Sequence, residues 1–267
     1  DGGNLILSEE EYKLLISEDS SVIPFVRRYV GSKDYINNDE IRYCLWLRDV
    51  PANLYRKNNE IMRRLAAVKE MRLKSTAAPT RAMADAPYKF FSAPQKEGDC
   101  LCIPEVSSER RKYIPMGFLK NGIIASNKLL ILPDASIYHF GVLISNVHMA
   151  WTRTVCGRLK SDYQYSGAIV YNNFPWPIPT EQQKQRIEQT AQAIIDARAK
   201  YPDNSLADLY DELTMPLELR KAHQNNDRAV MDAYGFTKGT AARTSESACV
   251  AELMKLYQQK VSAAQSK

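Results

Sequence analysis

Apolar positions along the chain follow two rhythms, and each marks a different kind of element. Over residues 51–74, Leu54, Ile61, Leu65, Val68 and Leu73 fall on one helical stripe, while Arg56, Lys57, Arg63, Arg64, Lys69 and Arg72 occupy the other faces. This predicts one long basic helix. It ends in Ser75-Thr76-Ala77-Ala78-Pro79-Thr80, a run of small residues that reads as a linker. Upstream, residues 42–47 (Arg-Tyr-Cys-Leu-Trp-Leu) form a short apolar run expected as a buried strand. Strands are then predicted at 88–91, 100–103, 113–118, 122–125 and 128–132. Residues 136–154 are apolar on most sides, the pattern of a core helix. An extended segment over 158–171 follows, closed by Asn172-Asn173-Phe174-Pro175-Trp176-Pro177-Ile178-Pro179, which can continue neither helix nor central strand.

Beyond the prolines the rhythm is helical. Thr180 and Gln183 have capping-box spacing ahead of an Ile187, Ala191, Ile194, Ile195 stripe. A second helix is expected from Met215-Pro216 to a Gly235 cap, and a third over 246–264 carries Val250, Leu253, Met254 and Tyr257. The expected fold class is therefore α+β: a mixed α/β body followed by a small all-helical C-terminal domain. The expected divisions are 1–75, a segment with the basic helix; 76–179, the body; and 180–267, the helical tail.

Composition adds limits. With 267 residues, 45% hydrophobic and 25% charged, the chain has ordinary globular content. No apolar run is long enough to span a membrane, and residues 1–4 do not look like a signal peptide. The start without Met suggests a piece of a longer protein. Five scattered cysteines fit reduced thiols in the cytoplasm better than a disulfide framework. The net charge of +5 is uneven, because residues 25–90 hold fourteen basic side chains against seven acidic, and residues 180–267 hold twelve of each. Such a distribution suits a polyanionic partner for the first two thirds, although solvated helix faces would produce it too.

Catalytic chemistry is hard to find. His139 and His148 lie about 180° apart on the expected helix and read as core residues. Cys100 and Cys102 share a strand face, but no second Cys/His pair follows at zinc spacing. Phosphate-loop, dinucleotide and nucleophile-elbow motifs do not occur. Asn173-Phe174-Pro175-Trp176 is only superficially like the Asn-Pro-Pro-aromatic signature of amino-methylating enzymes. No catalytic residue, metal site or cofactor site is therefore expected in this chain.

The most informative segment is Gly157-Arg158-Leu159-Lys160-Ser161-Asp162-Tyr163-Gln164. If it is one strand, Arg158, Lys160, Asp162 and Gln164 form a single polar row. Lys donates to guanine, Asp accepts from cytosine and Gln pairs with adenine, so such a row could read base edges. A solvent-facing strand with an internal Lys160–Asp162 ion pair explains the same pattern. A second patch, Ser107, Ser108, Arg110, Arg111 and Lys112, offers hydroxyls and cations suited to phosphate contacts. A charged surface loop would look the same. Trp151, Arg153 and the basic helix could extend that surface.

These residues resemble a known family. Asp1-Gly2-Gly3-Asn4-Leu5, the 42–47 run, Ser107-Ser108-Glu109-Arg110-Arg111-Lys112-Tyr113-Ile114-Pro115 and His148-Met149-Ala150-Trp151 carry the likeness. It continues through Gly157-Arg158-Leu159-Lys160-Ser161-Asp162-Tyr163, Tyr171-Asn172-Asn173-Phe174-Pro175-Trp176-Pro177, Ala207-Asp208-Leu209-Tyr210-Asp211 and Leu219-Arg220-Lys221-Ala222-His223. Together they are similar to the target-recognition and C-terminal region of MmeI-like (type IIL/IIG) restriction–modification proteins, large adenine-specific DNA methyltransferases. The resemblance implies that a separate upstream domain binds S-adenosylmethionine and carries the methylating site, with a nuclease further upstream in some members. It implies that Lys160 and Asp162 read a base pair of double-stranded DNA, with Gln164 as a companion. Arg158, Arg153 and the 107–112 patch are expected at phosphates from their charge alone. The competing expectation is an interaction scaffold that docks the parent protein's domains through the helical tail.

Overall fold

The computed structural model describes residues 1–92 and 94–265. Its first segment is built on strands β1 (Ile6–Ser8), β2 (Val26–Val30) and β3 (Arg42–Leu45), antiparallel in the order β1-β3-β2. The apolar 42–47 run supplies the central strand, as its pattern predicts. Helices α1 (Glu9–Glu18), α2 (Ser32–Asn37), α3 (Ala52–Tyr55), α4 (Asn59–Leu73) and α5 (Ala78–Ala82) accompany it. Leu5, Leu7, Leu45, Leu47, Ile61 and Val68 form the core of this segment.

The long basic helix is divided. Asn58 accepts from the Ile61 N–H (3.0 Å) and donates to Asp19 (3.0 Å), so it caps α4 and separates it from α3. Ile61, Leu65 and Val68 are buried as expected, but Leu54 and Leu73 are exposed. Two arginines of the supposed solvent face turn inward. Arg64 meets Glu60 and Glu11, each through one short contact (2.7 and 2.6 Å). Arg72, 1% exposed, donates to the carbonyls of Met83 (2.9 Å), Ala86 (2.8 Å) and Lys89 (2.6 Å). The small-residue run after α4 is therefore no free linker. It turns into α5, whose Arg81 donates to the Ser75 (2.8 Å) and Thr76 (2.7 Å) carbonyls, and the segment after α5 is tied back by Arg72. Residues 88–91 form no strand, and Phe90 instead packs its ring by Tyr29 and Trp46.

The body contains β4 (Cys100–Pro104), β5 (Val106–Ser107), β6 (Gly117–Leu119), β7 (Ile124–Ala125) and β8 (Leu129–Pro133). Strands β6, β4 and β8 make an antiparallel sheet with the wholly buried β4 at its centre. Strand β7 leaves it and pairs in parallel with β2, so the first segment and the body are joined through one sheet. Of the strand expected over 113–118 only the end is realised, because Tyr113, Ile114 and Met116 enter the core from a loop.

The expected core helix over 136–154 is two helices, α6 (Ile137–Leu143) and α7 (Asn146–Val155). Ser145 separates them, donating to the Val142 carbonyl (2.7 Å) and accepting from the His148 N–H (3.3 Å). The extended segment over 158–171 also breaks, into β9 (Gly157–Leu159), β10 (Asp162–Gln164) and a π-helical turn at Gly167–Tyr171.

The tail comprises α8 (Glu181–Ala199), α9 (Leu206–Leu209), α10 (Leu217–Ala233), α11 (Ala241–Thr244) and α12 (Glu246–Gln265). The Thr180–Gln183 capping box forms, and Gly235 follows α10 with a φ of 77°. The tail has no core to itself. Leu101 and Ile103 of β4, Phe140 and Trp151 of α6 and α7, and Ile187, Leu219 and Leu253 of the tail belong to one cluster. Phe174 of the proline-rich turn lies between Trp151 (6.3 Å) and Tyr234 (6.4 Å), anchoring tail to body.

Candidate nucleic-acid interface

Strands β9 and β10 are the arms of a hairpin joined by Lys160 and Ser161. A two-residue hairpin loop needs a left-handed residue, and Lys160 supplies it with a φ of 57°. Arg158 closes the turn by donating to the Ser161 carbonyl (3.1 Å). Its guanidinium also lies 4.1 Å from the centre of the Tyr163 ring. Tyr163 faces inward and is buried, which fixes which way the hairpin is turned. On its other edge β10 pairs with β5, Tyr163 opposite Ser107 and Gln164 opposite Val106. Tyr165 locks the base of the hairpin, its N–H donating to the Glu105 carbonyl (2.7 Å) and its hydroxyl meeting His148 Nε2 (3.1 Å).

The hairpin corrects the single polar row expected from the sequence. The chain reverses at Lys160, so alternation does not run through it. Asp162 stands directly opposite Leu159, and Gln164 opposite Gly157. Opposed residues share a face, which places Leu159, Asp162 and Gln164 outward together. Arg158 opposes Tyr163 and lies on the other face. Lys160 projects from the tip. The Lys160–Asp162 ion pair does not form: Asp162 Oδ1 accepts instead from the Glu109 N–H (3.3 Å). Among the described residues no carboxylate lies within ion-pair distance of Lys160 or Arg158.

The 107–112 patch is divided by burial. Ser107, expected at the phosphate surface, is 2% exposed with its hydroxyl enclosed, because it lies beside the inward face of β10. Ser108 accepts from the Arg110 N–H (3.3 Å) in a tight turn that leaves Arg110 and Lys112 exposed. Arg111 is half-buried; burial lowers its pKa, while Asp162 and Asp211 act to keep it charged. Arg153 is committed to Glu246 of α12 (3.0 Å) and to the Lys112 carbonyl (3.1 Å), so it would have to leave both to reach a phosphate. Trp151 is no surface residue either; it is buried and donates to the Val170 carbonyl (3.0 Å).

The other expected chemistry resolves into packing. His148 and His223 are buried, held neutral by desolvation, each with a tyrosine hydroxyl on Nε2. His139 lies on a separate helix from His148, with its Nδ1 at the Ser136 cap. Cys100 and Cys102 are buried, and burial pushes the Cys102 thiol up to about 12. Among the described residues no three metal-ligating side chains cluster, and no helix is long and apolar enough to cross a membrane. The turn from β2 to α2 at Gly31 is filled: a side chain there would meet Arg42 at 2.9 Å and Asp34 at 3.2 Å.

Sequence reasoning missed a groove of about 1000 Å³ lined by Arg27, Arg28, Trp46, Arg48 and Lys96, where the first sheet meets the body. The Arg27-Arg28 pair was its only signal, and the partners across the groove come from distant parts of the chain.

Residues 1–178 match the family described as MmeI, target recognition domain, and residues 179–264 match MmeI, C-terminal domain. The chain belongs to the MmeI family. A solved structure, that of the Type IIL restriction-modification enzyme MmeI in complex with DNA, is 45% identical with a TM-score of 0.93. It covers 98% of the present chain, which spans 34% of that protein. DNA methyltransferase A of Bacillus subtilis (strain 168) is 37% identical over 259 residues, covering 97% of this chain and 29% of the relative. The chain thus spans about a third of the MmeI-type proteins it matches.

Proposed function

We propose that this chain is the sequence-specific double-stranded DNA recognition module of a restriction–modification adenine-N6 methyltransferase. The observation that carries the reading is the β9–β10 ribbon. The major groove admits a two-stranded ribbon, and this one presents an unpaired lysine at its tip with Asp162 and Gln164 on its outward face. Lys160 donates to guanine and Asp162 accepts from the paired cytosine, with Gln164 reading beside them. Ser108, Arg110, Lys112 and Arg158 hold the flanking phosphates, with Arg111 behind Asp162. Ser107 and Arg153 support this surface from within unless the loop opens. S-adenosylmethionine and the methylating residues belong to another domain of the parent chain, in the cytoplasm, where the target adenine is received after leaving the duplex. The scaffold alternative has less support, because the apolar stripes of α8 and α10 already pack on the body.

The test is selection from a pool of randomised duplex DNA at low salt, followed by sequencing of what is retained. An enriched motif is expected, and replacing Lys160 or Asp162 should change preference at one base pair by roughly 1–3 kcal/mol. Equal weakening on every sequence would make both residues phosphate or structural contacts. Absence of retention would reject DNA recognition and favour the scaffold.

A further inference from the structure

We propose that Leu159 is a specificity residue that packs on the C5 methyl group of a thymine, one base pair from that met by Lys160 and Asp162. This rests on the DNA-recognition reading above and adds a contact to it. Leu159 is 53% exposed and belongs to no core cluster. A lone exposed leucine needs no explanation in itself, and its position is what matters here. Tyr163 turns the inner face of the hairpin to the core, so the outer face should be polar throughout. Leu159 breaks that pattern at the residue next to the tip, opposite Asp162 and beside Lys160.

Its surroundings leave it open. Strand β9 is the outer strand of its sheet, and all three of its residues are exposed. Gly157, two positions back on the same face, has no side chain to cover it; the three atoms nearest a Cβ there all belong to Gln164, at 3.9 Å or more. Directly opposed side chains stand about 5 Å apart at Cβ, and stacked bases rise about 3.4 Å per step. A ribbon placing Asp162 on one base pair therefore sets Leu159 over that pair or its neighbour, and since a G·C pair carries no methyl group, the neighbour is the one it can read. On the major-groove edges of the bases the only apolar group is the thymine methyl. The leucine cannot hydrogen-bond, so this methyl is the one feature it can discriminate.

The experiment uses the full-length parent protein, unaltered and as Leu159→Ala and Leu159→Met, on the duplex site obtained by selection. Each thymine of the site is replaced in turn by uracil, which removes only the methyl group. One replacement should weaken the unaltered protein about fourfold, which is the burial of one methyl group expressed as binding. Leu159→Ala should bind the thymine duplex at least as weakly and be indifferent to that replacement, and Leu159→Met should keep part of the preference. Equal melting temperatures of the three proteins keep unfolding out of the comparison. The proposal is overturned if no thymine shows methyl dependence, if Leu159→Ala retains it, or if Leu159→Ala weakens binding equally on both duplexes. An enriched site without methyl dependence removes only the role of Leu159. A wild-type protein that enriches no site removes the recognition reading as well.

Discussion

At the scale of single residues, the arrangement turns on two cations doing opposite things. Lys160 holds a left-handed backbone that costs a non-glycine residue about 1 kcal/mol, and it keeps its amine free. Lys160→Gly should therefore melt at the same temperature as the parent or slightly higher, while selection shows lost preference at one base pair. A fall in melting temperature would mean that the lysine supports the turn. Arg72 is the reverse case, wholly enclosed and satisfying three carbonyls. Arg72→Met should lower stability by about 3 kcal/mol or more in urea titration, because three buried acceptors lose their donor. Neither role was legible in the sequence. A lysine gives no sign of a left-handed φ, and an arginine on a helix reads as solvated until its carbonyl partners, up to seventeen positions away, are folded against it.

At the scale of elements, long apolar segments were located correctly but their interruptions were not. The patterns over 51–74, 136–154 and 158–171 each hid a break, made by Asn58, by Ser145 and by the Lys160–Ser161 turn. All three are single polar residues or pairs acting through local hydrogen bonds or a backbone φ, which hydrophobic periodicity does not register. Capping signals with a clear spacing, Thr180 to Gln183, were read correctly. The outward face of the β9–β10 hairpin suffered from the same blindness. Asp162 and Gln164 were placed on one face properly, whereas Arg158 changed sides once the chain reversed. One close helix contact gives an element-scale prediction. At Gly141 of α6 a Cβ would stand 2.7 Å from Ile187 and 2.9 Å from Ala191 of α8. Gly141→Ala should push the two helices apart and cost about 1–3 kcal/mol, measured by denaturant unfolding. An unchanged midpoint would show that α8 can shift freely.

At the scale of the whole molecule, buried titratable groups tie stability to pH. Burial holds His148 at about 3 and lowers His223 well below its ordinary value, with Arg198 and Lys112 acting on His223 in the same direction. Unfolded, both take up protons below about pH 6.5, so stability falls with pH by about 1.4 kcal/mol per unit for each. Asp227 works against them. Burial raises it to about 6, and it accepts from Tyr113 (2.7 Å) and the Asn146 N–H (2.8 Å). Between about pH 6 and 4 the native state binds this extra proton, which stabilises it as pH falls. Two histidines outweigh one carboxylate, so the melting temperature should drop between pH 7 and 5. Asp227→Asn should steepen that drop by removing the opposing group, and a flatter profile in calorimetry would contradict the assignment. These groups lie where α7 and α10 meet the core shared by body and tail. Loosening that shared core by acid would disturb the recognition surface and the tail together.

The exposed edge of the hairpin has an evolutionary consequence. Leu159 and Lys160 point away from the core, while Tyr163, Tyr165 and the pairing of β10 with β5 fix the ribbon to it. Replacing the outward side chains leaves the buried contacts intact, so the fold exerts little selection on their identity. If these side chains read the target as proposed, relatives can diverge in what they read while remaining equally stable, and a change of target needs no compensating mutation elsewhere in the chain.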